Sequence, residues 1–373
     1  MSCHKKQTIP LISLFSGGGF MDMGFIQAGF DVVFANEFNV SFANIYNEGV
    51  GSWCKIEQMP FVPITSTDSL VDLSANMIAQ KAFPNGFPKV WGIIGGPPCQ
   101  DFSLNGSGKG FEGERGKMTQ VFLDRIASMK PAFFVMENVK GLLLREEAKQ
   151  RLDYLIKTTI IPDYYVDRKL LNALEYGVPQ SRERVFMVGL RKDLFQIMKY
   201  EQKEEISTMT FDWPIPIFEN ALKTYNWPTK NRFGATIRKP VGIPKDLCVH
   251  HCLKSKSDAG ASNIDEYFPL HGDVEVKKLI DEGDTRRSSF KRLHRYRYSP
   301  TLCFGNNEVF LHPYENRRIS VREALRIQGV SDAYHLPTGN LSAKFKVIGN
   351  GVPVPLAKAI ADNLFDYINS HIS

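Results

Sequence analysis

Short, β-rich apolar runs recur through the first half of the chain, at 10–15 (PLISLF), 31–36 (DVVFAN), 89–94 (KVWGII), 132–136 (AFFVM) and 183–190 (ERVFMVGL). Between them lie segments such as 118–129 (MTQVFLDRIASM) and 146–160, in which apolar residues recur every three or four positions. That is the helical period. Strands alternating with helices need crossover connections, and right-handed crossovers build a mostly parallel sheet covered on both faces. The pattern therefore predicts an α/β fold with a doubly wound sheet. After residue 190 the alternation stops. Residues 191–310 carry Pro, Trp, Lys and Asp with little periodicity, a helical pattern returns near 318 (ISVREALRIQG), and 349–367 reads as a last helix behind Gly349-Asn350-Gly351.

Composition narrows the class only modestly. The chain has 373 residues, 43% of them apolar and 23% charged, ordinary values for a folded chain. At roughly 150 residues per domain, this length gives a prior of two to three domains. No apolar run approaches the ~20 residues that span a bilayer, and the opening MSCHKKQTIPLISLF reads as a first buried strand rather than a signal peptide. A net charge of +6 and a pI near 8.8 fit a polyanionic partner without requiring one. Six scattered cysteines predict reduced thiols. The cluster Cys248-Val249-His250-His251-Cys252 is too tight for one tetrahedral ion, so no metal is expected.

Candidate chemistry gathers where strands end. Phe15-Ser16-Gly17-Gly18-Gly19-Phe20 is a glycine turn opening a helix after the first strand, and Glu37 ends the second strand where doubly wound folds hold a ribose hydroxyl pair. This predicts an adenosine-containing cofactor. The spacing departs from G-x-G-x-x-G, mildly against a dinucleotide. Gly95-Gly96-Pro97-Pro98-Cys99 follows KVWGII, so a thiol is held stiffly at a carboxyl strand end. A glycine-rich loop suited to a closing lid comes next, at 106–116. Glu137-Asn138-Val139 leaves a later strand, offering a proton donor if burial raises its pKa. Gln180-Ser181-Arg182-Glu183-Arg184 brings guanidinium groups to the sheet, and the run 286–297 (RRSSFKRLHRYR), preceded by an acid-rich stretch at 273–284, reads as a phosphate-tracking strip through Arg292, Arg295 and Arg297.

The ordered set FSGGGF, NE, GGPPCQDFS, ENV, QSRER, RRISVREALRIQG and GNGVPVPLAKAI resembles the cytosine carbon-5 DNA methyltransferase family over almost the whole chain. The gap at about 191–300 matches that family's variable target-recognition region. The resemblance implies a catalytic and cofactor-binding domain at 1–190, completed by 340–373, and a smaller, irregular target-recognition domain at 191–339. It implies that the thiolate of Cys99 adds to carbon 6 of a flipped cytosine, with Glu137 holding the ring at nitrogen 3 and the amino group. Arg184 contacts the carbonyl and Arg182 braces the site. The implied cofactor is S-adenosyl-L-methionine, held by Phe15, Gly17 and Gly19, with Glu37 on the ribose, Asp68 on the adenine amino group, and Asn350 and Val352 at the methionine end. Gln100 and Ser103 sit on a loop that meets DNA, and Ser299-Pro300-Thr301-Leu302 resembles the threonine-containing end of a recognition region.

The implied partner is duplex DNA, for a chain expected to be monomeric, paired with a restriction endonuclease, and cytoplasmic in a bacterium or nuclear in a eukaryote. Two departures stand out: Phe20 replaces a frequent glycine, and Ser13 stands where the family often has an aspartate on the first strand. The alternatives are a tRNA cytosine-5 methyltransferase, which shares PPCQ and ENV, and a catalytically inactive nucleic-acid-binding homologue.

Overall fold

The computed structural model describes residues 8–98, 116–195, 206–258, 260–304 and 309–372. Its centre is a six-stranded sheet built from β1 (Ile9–Leu14), β2 (Phe30–Asn36), β3 (Gly92–Gly95), β4 (Phe133–Val139), β5 (Tyr164–Asn172) and β7 (Glu183–Arg191), with β6 (Gln180–Ser181) lying outside it. The order is β2-β1-β3-β4-β7-β5. The first four strands are parallel, whereas β7 runs antiparallel to both β4 and β5. The five apolar runs fall on strands of this sheet. β5, which the apolar pattern does not reveal, is the edge strand YYVDRKLLN, interrupted by the charged run Asp167-Arg168-Lys169.

Side-chain alternation explains why the strands read as continuous apolar runs. Leu11, Phe133 and Phe186 enter one apolar core, and their neighbours Ile12, Phe134 and Met187 enter the other. The second core is closed by α3 (Ala75–Ala82), α4 (Gly116–Met129) and α6 (Glu146–Leu155), with α5 (Gly141–Leu144) between the last two. The first is closed by α1 (Phe20–Ala28), α2 (Val40–Glu57) and helices from the chain's far end.

Between β7 and that end, regular structure is sparse: α7 (Ala221–Thr224), α8 (Val274–Lys277) and the two-residue strands β8 (Lys291–Arg292), β9 (Ser299–Pro300) and β10 (Phe310–Leu311). Then come α9 (Val321–Ile327), α10 (Leu341–Asn350) and α11 (Val354–His371). The last helix expected at 349–367 is α11, starting later, at Val354, and α10 before it is a further helix. Gly351 is extended and Pro353 lacks an N–H, so the chain breaks after Asn350 and restarts at Val354. Helix α11 lies directly on α1: a Cβ at Gly24 would stand 2.6 Å from the Lys358 nitrogen, so only glycine permits this approach. Ile319, Ala324, Leu325 and Tyr334 enter the same core as α1 and α2.

Candidate active site

The glycine turn leaves β1 in a conformation few sequences tolerate. Phe15, Gly17 and Gly19 have φ of 56°, 57° and 77°, the left-handed region in which glycine is nearly free of strain. A Cβ on Gly17 would meet nothing within 4 Å, so that face of the turn is open; one on Gly19 would stand 2.4 Å from Val50. The Glu37 carboxylate closes the turn from the next strand, accepting from the Gly17 N–H at 2.9 Å and the Asn39 N–H at 2.8 Å. Burial raises its pKa, and those two N–H groups oppose the rise.

Beside it the Asn36 amide donates to the carbonyls of Ser66 and Asp68, both at 3.0 Å, while its buried Oδ1 has no partner. Asp68 is exposed, its carboxylate accepting from the Ser66 hydroxyl at 2.8 Å. Sequence reasoning missed Phe38, whose ring is 67% exposed next to Glu37. The available signal was an aromatic residue directly after the acid at a strand end, where a planar ring can be covered. Asn350 is exposed at the end of α10, and Val352 is buried just beyond it. Phe20 fills the seam between these two parts. A Cβ on Gly351 would stand 2.2 Å from its ring, and the ring meets Tyr334 edge-on at 5.4 Å.

The second cluster stands one strand away. Cys99, Gln100 and Ser103 lie outside the described residues, as does the loop through 115. The turn leading to the thiol is nevertheless fixed. Asn138 donates to the Pro97 carbonyl at 3.3 Å, and a Cβ on Gly96 would stand 2.9 Å from Glu137 Oε2. Glu137 thus lies against the glycine three residues before Cys99. Its Oε1 is 2.9 Å from Arg184 Nε, and both side chains are nearly buried. Burial raises the Glu137 pKa, opposed first by Arg184 and then by Arg182, in the direction a proton donor needs.

Glu183 faces away and pairs with Lys140 at 2.6 Å. Arg182 is wholly buried. It donates to the Gly349 carbonyl at 2.7 Å and the Leu302 carbonyl at 3.4 Å, leaving Nε without a partner. Burial lowers its pKa to about 9. Strand β6 pairs in parallel with β9, the Thr301 hydroxyl donates to the Ser181 carbonyl at 2.8 Å, and Gln180 binds Leu302 N and Gln328. The residues returning from the irregular region are therefore seated on β6, directly before Arg182 and the strand that carries Arg184.

The expected phosphate strip needs correction. Arg292 is wholly buried, and its guanidinium donates to the carbonyls of Ile280, His312, Lys277 and Glu315 over the Phe233 ring. It is a framework residue and cannot meet a phosphate from that position. Arg295 is held by buried Glu282, with guanidinium contacts at 2.8 and 2.7 Å, and Arg297 is half-buried, donating to the Pro228 carbonyl at 3.3 Å. The acid-rich stretch at 273–284 does not leave the basic run segregated; it folds back against it. Within the run Arg286 and Arg287 stay exposed, Arg287 3.6 Å from Asp284, and a larger set of exposed cations lies elsewhere. Residues 220–245 contain no Asp or Glu, and Lys223, Lys230, Arg232, Arg238, Lys239 and Lys245 are all exposed. Among the described residues no group of three or more His, Cys, Asp or Glu side chains could hold a metal ion.

Comparison with known proteins matches this chain to the family described as C-5 cytosine-specific DNA methylase, over residues 9–366. The Type II methyltransferase M.NmeDI of Neisseria meningitidis serogroup C is 39% identical over 375 residues, covering 99% of this chain and 86% of the relative. M.FnuDI of Fusobacterium nucleatum is 32% identical, covering 95% and 94%. Among solved structures, a DNMT2 variant from Spodoptera frugiperda superposes with a TM-score of 0.63 at 16% identity, covering 96% of this chain and 100% of that one. That likeness speaks to fold.

Proposed function

The chain belongs to the C-5 cytosine-specific DNA methylase family, and from this premise we propose how its residues divide the work. It is a DNA (cytosine-5-)-methyltransferase that uses S-adenosyl-L-methionine. The glycine turn and its neighbours fit that cofactor: the turn is open on one face, Glu37 offers a ribose-facing carboxylate, the Phe38 ring is exposed and Asn36 Oδ1 is unpartnered. Phe15, Gly17, Gly19, Glu37 and Asp68 would hold it from one side, and Asn350 and Val352 from the other. When bound it supplies an electrophilic methyl group.

The protein's own part is to make carbon 5 of cytosine reactive. The target atoms are unreachable within the stack, so the base is flipped out. The Cys99 thiolate bonds to carbon 6, and the electron pair of the 5,6 double bond moves toward carbon 5. Glu137 shares its proton with nitrogen 3 as charge builds there, and Arg184 holds both Glu137 and the base carbonyl. After methyl transfer, loss of the carbon-5 proton restores the double bond and expels the thiolate. The observation carrying this reading is the buried Glu137–Arg184 pair set against Gly96, at the foot of the Pro-Pro-Cys turn.

The catalytic body comprises 1–190 and the C-terminal helices, and the recognition domain lies in the irregular region after 191. The packing of residues 319–336 beside α1 and α2 supports joining them to the catalytic body. Within the recognition domain, the exposed cations at 223–245 suit the DNA backbone better than the run at 286–297. We place the protein as a monomer in the cytoplasm of a bacterium, paired with a restriction endonuclease; no helix of the described residues is long and apolar enough to cross a membrane. The test is transfer of labelled methyl groups to duplex DNA and to tRNA, with Cys99→Ser as control. Label in DNA that Cys99→Ser abolishes supports the reading, and label surviving that substitution contradicts it.

A further inference from the structure

The first strand carries Ser13 rather than an acid, yet a carboxylate sits beneath the turn. It comes from α1. Asp22, wholly buried, accepts from the Ser13 hydroxyl at 2.8 Å and from the Tyr46 hydroxyl at 3.0 Å. Ser13 Oγ also lies 2.9 Å from Ser16 Oγ. Each hydroxyl has one proton. With Ser13's proton committed to Asp22, the 2.9 Å bond between the serines requires Ser16 as donor, its proton shared with the more distant Ser13 carbonyl at 3.3 Å. The donors then run Ser16 to Ser13 to Asp22, out of the turn and into the helix. Ser16 is itself part of the turn's frame: its N–H donates to the Asn36 carbonyl at 3.0 Å, and its own carbonyl accepts from the Gly19 N–H at 2.9 Å.

We infer that Asp22 is a positioning residue for the cofactor, its ionised carboxylate acting through Ser13 and Ser16 to hold the Phe15–Gly19 turn in the form that receives S-adenosylmethionine. The inference rests on the cofactor assignment above and deepens it. An ionised carboxylate accepts from both hydroxyls at once. A neutral acid or an amide presents a donor at one of its two ends, so one hydroxyl must turn and the order of donors through Ser16 is lost. A buried anion two hydroxyls from the turn also favours a ligand that carries sulfonium and ammonium charges.

The environment makes this carboxylate titratable near neutrality. Burial raises its pKa to about 6, with Ser13 and Tyr46 opposing the rise, and no charged neighbour among the described residues contributes. The titratable groups around it are Tyr46, with Cys54 and Tyr334 beyond that ring, and Glu37 across the turn.

The experiment is calorimetric titration of the full chain with S-adenosylmethionine at about pH 7.5 and about pH 5.5, on either side of the Asp22 titration. Asp22→Asn is expected to weaken binding about tenfold at the higher pH, the loss of a hydrogen bond to a charged group, and to raise the cofactor KM rather than lower kcat. The part of the pH dependence due to Asp22 should vanish, while Glu37 keeps its own response in every variant. Ser13→Ala, which cuts only the relay, is expected to weaken binding about threefold. Ser13→Asp combined with Asp22→Ser moves the carboxylate to the strand and is expected to recover most of the affinity. Binding by Asp22→Asn within about twofold of wild type, with the pH dependence intact, overturns the inference. If that variant does not fold, unchanged affinity in Ser13→Ala overturns it alone. A wild-type chain that does not bind the cofactor overturns the cofactor assignment itself, and the inference with it.

Discussion

Arg184 Nε stands 2.9 Å from Glu137 Oε1, an ion pair made across two neighbouring strands that run in opposite directions. The reversal of β7 is what allows it. Arg184 pairs in register with Val139, so its side chain lies at the same edge of the sheet as Glu137 and the turn before Cys99. A buried carboxylate alone would be costly to ionise; with one guanidinium in contact and Arg182 nearby, it can gain and lose a proton at modest cost.

Glu137→Gln keeps shape but removes the exchangeable acid. Single-turnover methylation is expected to slow by about 10²- to 10⁴-fold, the usual worth of a positioned proton donor, with cofactor binding unchanged. A rate within a few-fold of wild type would remove Glu137 from the chemistry.

Arg292→Ala is expected to lower stability and leave the salt dependence of DNA binding alone. Removing a guanidinium that serves four carbonyls should cost about 3 kcal/mol, read as a lower urea midpoint. An unchanged midpoint with a shallower salt slope would restore Arg292 to the DNA interface.

The opposite holds for the acid-free segment. Replacing Arg232, Arg238 and Lys239 with alanine should leave the urea midpoint in place and flatten the slope of log K against log salt by about 2 to 3 units, near 0.9 for each phosphate no longer neutralised. A slope equal to wild type would place DNA elsewhere.

These two outcomes show where sequence reading reached its limit. The strand-end motifs were legible because turn chemistry is local: Gly96-Pro97-Pro98 follows β3 directly, and Glu37 follows the last residue of β2 next to the glycine turn. The basic run was misread because charge along a chain says nothing of what folds against it. Glu282 lies thirteen residues before Arg295 and still holds it at 2.7 Å. Arg232, Arg238 and Lys239 are spread among apolar residues and glycines, so no cluster marked them. Asp22 escapes for a related reason, since an acid inside a helical pattern signals nothing until its neighbours are placed.

Asp22 also gives a stability prediction with a definite sign. Its folded pKa, about 6, lies above the ordinary 3.8, so the folded state holds the proton more tightly than the unfolded chain. The stabilisation is full below about pH 4 and is lost as pH rises through about 6. Asp22→Asn should flatten that part of the urea midpoint's pH profile, leaving the contributions of Glu37 and Glu137, both also raised. Above about pH 6 the variant should be at least as stable as wild type, because it no longer buries a charge. A variant destabilised equally at every pH would contradict this.

The covalent bond proposed between Cys99 and cytosine can be tested directly. Purified protein and S-adenosylmethionine are mixed with duplex DNA carrying 5-fluorocytosine, whose fluorine cannot leave carbon 5 as a proton does. The expected result is a protein–DNA adduct that survives denaturation, maps by peptide sequencing to Cys99, and is absent in Cys99→Ser. No adduct despite bound cofactor and DNA, or an adduct that persists in Cys99→Ser, would contradict the account.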